Sequence, residues 1–111
     1  MLNQFVIVGR LVNSPELRKV EKGNVTEITL AVPRSYKNKD GEYETDFIDF
    51  IVYNGIAENT KEYCKKGDIV GVKGRIQTTI YEQENEKIKM TELIAEKITF
   101  LSSASKEKET E

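Results

Sequence analysis

The chain has 111 residues, with 17 Lys and Arg against 19 Asp and Glu and a formal net charge of -2. This length suits one domain with its own core, and the charge balance shows no overall basic excess of the kind that favours nucleic acid. With one cysteine, the chain cannot form an intramolecular disulfide. With no histidine, it also lacks nearly all the side chains that a zinc site or a histidine-based triad needs. We therefore expect neither metal nor cofactor.

The first predicted strand runs from Asn3 to Val12, a segment rich in residues that favour strands. Both faces of its first half are apolar, so we expect one face to meet a core and the other face to meet another subunit. A turn follows at residues 13–15. Residues 16–21 then form a short strand or an irregular link before a second turn.

Val25 to Val32 is the next predicted strand, and Pro33 should end its ordinary pairing or confine it to a sheet edge. The polar segment that follows predicts a hairpin with a long, charged and mobile tip. Arg34, Tyr36 and Lys37 lie at the base of this hairpin. A ring between two cations is typical of a surface that grips bases and phosphates, although a solvated loop explains the same residues equally well.

Strand character returns from Asp46 to Tyr53, where side chains alternate between two faces. The side chains assigned to the core are Ile48, Phe50 and Val52. On the other face Phe47 and Tyr53 flank Asp49. These two rings predict either a stacking platform for bases or packing against a neighbouring subunit.

The segment from Asn54 to Lys66 is the only stretch with plausible helical content, because its apolar residues recur every three or four positions. Gly67, which follows two lysines, is a good C-terminal stop. One helix is therefore expected between the third and fourth long strands.

The next predicted strand, Asp68 to Tyr81, has two unlike faces. The mostly apolar face, which we assign to the core, carries Val70, Val72, Gly74, Ile76, Thr78 and Ile80. The other face is polar or cationic through Lys73, Arg75 and Gln77 and ends in the ring of Tyr81, which suits a polyanion with flat rings attached. Glycines at 71 and 74 predict a bulge, a bend or a close backbone approach.

A charged hairpin tip at residues 82–87 and a final strand from Ile88 to Leu101 complete the series. Five strands with one helix between the third and fourth predict an all-β OB-fold, a five-stranded Greek-key barrel, over residues 1–102. Residues 103–111 are expected to be a short disordered charged tail. No apolar run reaches the roughly 20 residues of a membrane span, and no signal-peptide pattern is present, so we expect a cytoplasmic protein without membrane contact.

Several stretches match one family in order and at compatible spacing. They are VGRL at 8–11, PELR at 15–18, ITLAV at 28–32, AEN at 57–59, KKGD at 65–68 and VGVKGRIQT at 70–78. Through them residues 2–101 resemble the bacterial single-stranded DNA-binding protein (SSB) family, and its short Gram-positive-type members in particular. The resemblance implies a nucleoid-associated homotetramer that binds single-stranded DNA without strong sequence preference. It also implies a subunit interface along the first strand, formed by Asn3, Phe5, Val6, Ile7 and Val8.

The stacking aromatic positions of the family fall on Tyr36, Phe47, Tyr53 and Tyr81. Phosphate and polar contacts are expected from Arg10, Arg34, Lys37, Lys73, Arg75 and Gln77. Many relatives carry Trp at three of the four ring positions, whereas this chain has no Trp. Asp49 adds a negative charge to the face that carries Phe47 and Tyr53, and Thr79 stands where some relatives have Arg. Both differences weaken the electrostatic attraction for DNA. Long relatives recruit replication and repair proteins through an acidic C-terminal tip, and the ending KETE makes such recruitment unexpected. Two alternatives stay open: a short paralogue specialised for strand protection, or a truncated form of a longer protein.

Two rival functions are compatible with parts of the sequence. A metal-dependent nuclease would use the alternating carboxylates Asp40, Glu42, Glu44 and Asp46. Such a row beside a turn is far more often a solvated edge that discourages sheet pairing, so we expect no catalysis. The other rival is a protein-interaction or primosome-type OB module that binds DNA weakly. RNA binding also stays open, because stacking platforms do not demand the deoxy sugar.

Overall fold

The computed structural model describes residues 1–21 and 23–103. Its elements are β1 (Phe5–Leu11), β2 (Arg18–Val20), β3 (Gly23–Lys37), β4 (Tyr43–Tyr53), α1 (Asn54–Tyr63), β5 (Ile69–Gln83) and β6 (Glu86–Ser102). Within the described residues no helix has the length and apolar character needed to span a membrane. The predicted tail, residues 103–111, lies outside the described residues apart from Ser103.

The five long strands close into a barrel. They are joined in the order β1-β5-β6-β4-β3, and β3 pairs back to β1 through Arg10 with Ala31 and Leu11 with Leu30. Every pairing is antiparallel except β4 with β6, which is parallel at Ile51 and Ile94. The short β2 extends the sheet beyond β3. This is the strand order of the OB-fold, so the predicted fold class is confirmed.

Alternating side chains of the barrel strands fill the interior. The fully buried apolar residues are Leu11, Ile28, Leu30, Phe50, Val52, Val70 and Val72. The ring of Phe50 also contacts that of Phe5, with centroids 5.4 Å apart. The helix α1 packs against β3, β4 and β6 and buries Ala57 and Thr60. The prediction of a core face on β4 is therefore confirmed.

The apolar face predicted for β5 is only half buried. Val70, Val72 and Gly74 lie in the interior, but Ile76 and Ile80 are exposed. The reason is that β5 and β6 continue to pair as far as Gln83 and Glu86, beyond the barrel. The outer half of this hairpin therefore presents side chains to solvent on both faces, and the assignment of Ile76, Thr78 and Ile80 to the core is wrong.

The bend predicted in β5 occurs at Gly74 and not at Gly71. A Cβ atom at Gly74 would lie 1.9 Å from the carbonyl oxygen of Ile94, whereas one at Gly71 would make only ordinary contacts. At Gly74 the pairing register also shifts, because Lys73 faces Lys97 while Gly74 faces Ala95. The extra residue on β6 is a bulge, which is how a small barrel turns a corner.

Both hairpin tips are tighter than predicted. The β3–β4 strands continue past Pro33, and after an irregular stretch their pairing resumes at Lys37 and Tyr43. Asn38 closes the turn, since its Oδ1 accepts hydrogen bonds from the backbone N–H groups of Asp40 and Glu42. At the β5–β6 tip the loop is two residues long, with φ of 51° and 67° at residues 84 and 85, as in a type I′ turn.

The helix ends three residues earlier than predicted. Cys64 is extended, with φ of -120° and ψ of 145°, and α1 therefore stops at Tyr63. Gly67, at φ of 97°, belongs instead to a turn in which Asp68 Oδ2 accepts a hydrogen bond from the backbone N–H of Lys65. β5 begins at Ile69, immediately after this turn.

Candidate nucleic-acid interface

The outer face of β4 carries two separate rings. Phe47 is 67% exposed and Tyr53 is 42% exposed, which places both on the surface as predicted. They are six residues apart on one strand, so about 20 Å separates them, and each can contact a different base. Between them Asp49 accepts a hydrogen bond from the Thr29 hydroxyl at 2.5 Å. The outer face of β4 therefore offers two apolar positions divided by a carboxylate.

Closure of the barrel brings Arg10 to the row that contains Phe47. Arg10 faces Ala31 across the β1–β3 pair, and Ala31 faces Phe47 across the β3–β4 pair. Two strand spacings, about 10 Å, separate the Arg10 and Phe47 backbones. Arg10 Nη1 also donates to the carbonyl oxygen of Gly67 at 2.8 Å, which steadies its side chain. A groove of about 330 Å³ lies beside this row. It is lined by Val8, Gly9, Arg10, Ala31, Pro33, Thr45 and Ile69.

A hydrogen-bonded network holds Tyr81 on the outer half of the β5–β6 hairpin. The Tyr81 hydroxyl donates to Glu92 Oε2 at 2.7 Å, and the Thr79 hydroxyl donates to Glu92 Oε1 at 2.6 Å. Gln77 lies directly opposite Glu92 and adds a longer contact of 3.5 Å. Hydrogen bonds from Thr79 and Tyr81 lower the pKa of Glu92, and the hydrogen bond to Glu92 raises the pKa of Tyr81. Glu92 thus fixes the position of the Tyr81 ring.

Tyr53 and Tyr81 belong to one region of the surface although different strands carry them. The pKa of Tyr81 is raised first by Glu92 and, more weakly, by its proximity to Tyr53 and Glu27. A groove of about 230 Å³ between β4 and β6 lies beside them, with three carboxylates, Glu27, Asp49 and Glu92, in its lining. In the part of the chain that the structure describes, no group of three or more acidic, Cys or His side chains is arranged to hold a metal ion.

Three exposed residues, two of them beside Tyr81 and one on the β3–β4 hairpin, were missed by the sequence analysis. Ile88 faces Tyr81 and Met90 faces Thr79 across the β5–β6 pair, so both lie on the face that carries Tyr81. Tyr43 is exposed on the β3–β4 hairpin, where Lys37 Nζ lies 5.7 Å from the centre of its ring. The sequence alone does not place Ile88 and Met90 beside Tyr81, because their position depends on the register of the β5–β6 hairpin. The two-residue turn determines that register.

Arg34, a predicted phosphate contact, is already bound by carboxylates. Its Nη2 and Nε donate to the two carboxylate oxygens of Asp46 at 2.9 and 3.1 Å, and its Nη1 donates to Glu44 Oε2 at 2.6 Å. The Arg34 guanidinium lowers the pKa of the Asp46 carboxyl, mainly through this hydrogen bonding. Tyr36, an exposed ring close enough to Arg34 to affect its pKa, completes this part of the hairpin.

The remaining predicted cations are distributed along β5. Lys73 faces Val6 of β1, and its position eight residues before Tyr81 corresponds to a separation of about 26 Å along the strand. Arg75 Nη1 donates to Gln77 Oε1 at 2.6 Å, which places Arg75 beside the Tyr81 network. Gln77 therefore links Arg75 to the network around Tyr81, while Lys73 lies two residues farther from Tyr81 on the same face of β5.

The residues of the predicted subunit interface divide between the two faces of β1. Phe5 and Ile7 are half-buried against the core, while Val6 and Val8 are exposed. Asn3 precedes the strand, and its side chain exchanges two hydrogen bonds with the backbone of Ile76. The expected core-facing side of this strand is therefore confirmed, and the contact of its exposed side with another subunit stays a prediction.

We expect Glu92→Gln to lower the pKa of Tyr81. A neutral amide oxygen is a weaker acceptor than a carboxylate, and it no longer opposes the phenolate by charge repulsion. An alkaline absorbance titration of each protein, with its Tyr81→Phe derivative subtracted, isolates this one phenol. An unchanged Tyr81 pKa would show that the hydrogen bond does not persist in solution.

The same variant should also change how stability depends on pH. The pKa of Glu92 is lower in the folded chain than its ordinary value of 4.5, so its contribution to stability is present above that value and lost as the pH falls through the folded pKa. Urea denaturation should therefore show Glu92→Gln to be less stable than the original chain at neutral pH. The difference should shrink in acid, and a constant difference would contradict the linkage.

Comparison with known proteins shows what the chain is similar to. Residues 2–101 match the model of the single-strand binding protein family. The chain is 48% identical over 103 residues to a single-stranded DNA-binding protein of Staphylococcus aureus, covering 91% of this chain but 66% of the relative. It is 44% identical over 110 residues to single-stranded DNA-binding protein B of Bacillus subtilis, covering 97% of each.

Among solved structures, the fold is similar to that in a Plasmodium falciparum SSB complex with ssDNA. The TM-score is 0.77, and the match covers 92% of this chain and 96% of the other. Because the two sequences are 24% identical, this likeness supports the fold alone.

Proposed function

Since the chain belongs to the single-strand binding protein family, we propose that it coats and protects single-stranded DNA without strong sequence preference. The processes served would be replication, recombination, repair or DNA uptake. The observation that carries this proposal is the family match over residues 2–101, joined to exposed rings on the outer face of the barrel. In the proposal bases stack on Tyr36, Phe47, Tyr53 and Tyr81, and phosphates contact Arg10, Arg34, Lys37, Lys73 and Arg75, with Gln77 as a polar neighbour.

Stacking explains why the binding would tolerate many sequences, because every base has a π-face, and each stacked base contributes about 1–3 kcal/mol. The carboxylates beside Tyr53 and Tyr81 repel phosphates. We therefore infer that DNA crosses the groove between β4 and β6 with its bases, and not its backbone, turned toward Asp49 and Glu92. Phosphates would instead pass Arg10, near Phe47, and Arg75, which lies beside Gln77 on β5.

In this proposal the protein is a binding module and not an enzyme, and residues 1–102 form the binding domain. Glu44 and Asp46, half of the acidic row considered for a nuclease, are bound to Arg34, which supports a structural use of these carboxylates. A protein-interaction OB module with weak DNA binding is the second candidate. The acidic lining of the groove between β4 and β6 favours it.

We further propose that the chain assembles as a homotetramer, as is typical of the family. Among the described strands, β3 pairs with β1 only at Arg10 and Leu11, so the earlier backbone of β1 is open to another strand on that side. Val6 and Val8 present apolar side chains beside that edge. Ile76 and Ile80 offer a second exposed apolar surface on the β5–β6 hairpin.

Val8→Asp is expected to reduce the mass of the assembly in sedimentation velocity, because a charge buried at an apolar subunit contact costs several kcal/mol. Val20→Asp is the matched control, since Val20 on β2 is 45% exposed and Val8 is 50% exposed. An assembly of unchanged mass in Val8→Asp would overturn the proposed use of this face.

A titration tests the proposed function directly. A long thymidine oligomer and a matched duplex are each added to the protein while tyrosine fluorescence is followed at low and high salt. The proposal expects quenching by the single strand alone, weakened by salt because phosphate contacts release counterions. No response to either nucleic acid would remove the DNA-binding proposal in favour of the interaction module.

A further inference from the structure

The carboxylates around Arg34 occupy the donors that a phosphate would use. The Asp46 carboxylate binds Arg34 in a bidentate geometry, and guanidinium groups bind phosphate in the same way. Glu44 takes the remaining outward nitrogen at 2.6 Å. All three side chains stay partly exposed, so neither the arginine nor its partners are sealed inside the protein.

This cluster lies beside one of the proposed stacking rings. Asp46 and Phe47 are consecutive residues of β4, so their side chains point to opposite faces of the strand, and the cluster is not on the Phe47 side. On β3, Arg34 lies two residues before Tyr36, which is exposed. A strand of DNA that stacks on Tyr36 therefore carries its phosphates past Arg34.

We propose that Asp46 and Glu44 compete with DNA phosphates for Arg34 and thereby limit the affinity of the β3–β4 hairpin for single-stranded DNA. The inference rests on the proposed function, since it concerns the same surface. Exchange of one partner for another is feasible because exposed ion pairs of this kind contribute little to stability. Binding would release the arginine from Asp46 and Glu44 and leave two carboxylates near the DNA, which costs affinity.

A purely structural role makes the opposite prediction. The regular β3–β4 pairing is interrupted between Pro33 and Lys37, and the Arg34–Asp46 contact bridges the two strands at this place. If the contact served only to brace the hairpin, its removal would loosen Tyr36 and Phe47 and weaken binding. The direction of the change in affinity therefore distinguishes competition from bracing.

The test measures the affinity of Asp46→Asn and Glu44→Gln for a fluorescently labelled thymidine oligomer over a range of salt concentrations. Each variant keeps the side-chain shape and removes one competing charge. We expect roughly threefold tighter binding for Asp46→Asn and a smaller gain for Glu44→Gln. The slope of log K against log salt should steepen by about 0.7, the value for one added phosphate contact on a single strand. Thermal unfolding of each variant checks that the hairpin remains folded.

Two controls separate release of Arg34 from a general loss of negative charge. Glu42→Gln removes an equal charge from the same hairpin, but the described contacts of Arg34 do not include Glu42, so its salt slope should not change. In an Arg34→Gln background, Asp46→Asn should lose its effect on the slope. Equal effects of Asp46→Asn and Glu42→Gln, or weaker binding by folded Asp46→Asn and Glu44→Gln, would overturn the inference. Absence of any binding by the original chain would instead refute the proposed function.

Discussion

Replacing Phe47, Tyr53 and Tyr81 together by alanine is expected to weaken binding to a thymidine oligomer by a hundredfold or more. Each ring stacked on a base is worth about 1–3 kcal/mol, and three losses of even about 1 kcal/mol multiply to that factor. Phe47 and Tyr53 lie about 20 Å apart along β4, and Tyr81 lies on β5, so we expect each ring to stack on a base of its own. Fluorescence anisotropy of a labelled oligomer measures the effect without relying on tyrosine emission.

Tyr63→Ala is the control for this loss. Tyr63 is 68% exposed, almost the same as Phe47 at 67%, but it lies at the end of α1 and not on the proposed DNA surface. Its removal should leave the affinity unchanged. A triple variant that binds within about threefold of the original chain would contradict stacking as the main source of affinity.

Gly74→Ala is expected to lower the free energy of unfolding far more than Gly71→Ala on the same strand, β5. The new Cβ atom would lie 1.9 Å from the carbonyl oxygen of Ile94, and a backbone oxygen cannot move aside as a flexible side chain can. We expect a loss of about 3 kcal/mol or more in the free energy of unfolding, toward the upper end for overpacked sites. Urea denaturation measures this loss.

Gly71→Ala, on the same strand, is the matched control. A Cβ atom there would lie 3.6 Å from the Val8 side chain and 3.9 Å from that of Leu101, which are ordinary contacts. Its effect should stay within about 1 kcal/mol, because the smaller freedom of the unfolded chain offsets minor crowding. Equal stability of the two variants would show that the backbone at Gly74 relaxes freely and that the corner does not depend on glycine.

Much of the barrel was predictable because strand alternation is a local property. The alternation in residues 46–53 separates Phe50 and Val52 from Phe47 and Tyr53, and the structure keeps each on its predicted side. The same rule failed for Ile76 and Ile80. Alternation says which side chains share a face, but not whether anything covers that face.

The candidate site was predicted residue by residue but not as an arrangement. All four predicted rings are exposed, yet their grouping depends on cross-strand register. The proximity of Arg10 to Phe47 arises only when β1 closes onto β3. Ile88 and Met90 join the surface around Tyr81 through the two-residue turn of the β5–β6 hairpin, a feature that no single strand reveals.

The sequence by itself determined the strand pattern, the single helix, the buried face of β4 and the identity of the exposed rings, since each depends on neighbouring residues. Only the tertiary structure decided that Arg34 is bound by Asp46 and Glu44 and that Glu92 holds Tyr81. The charge of a side chain follows from the residue type alone. Its partner depends on which strands lie side by side, and pairing between distant segments is set by closure of the whole barrel.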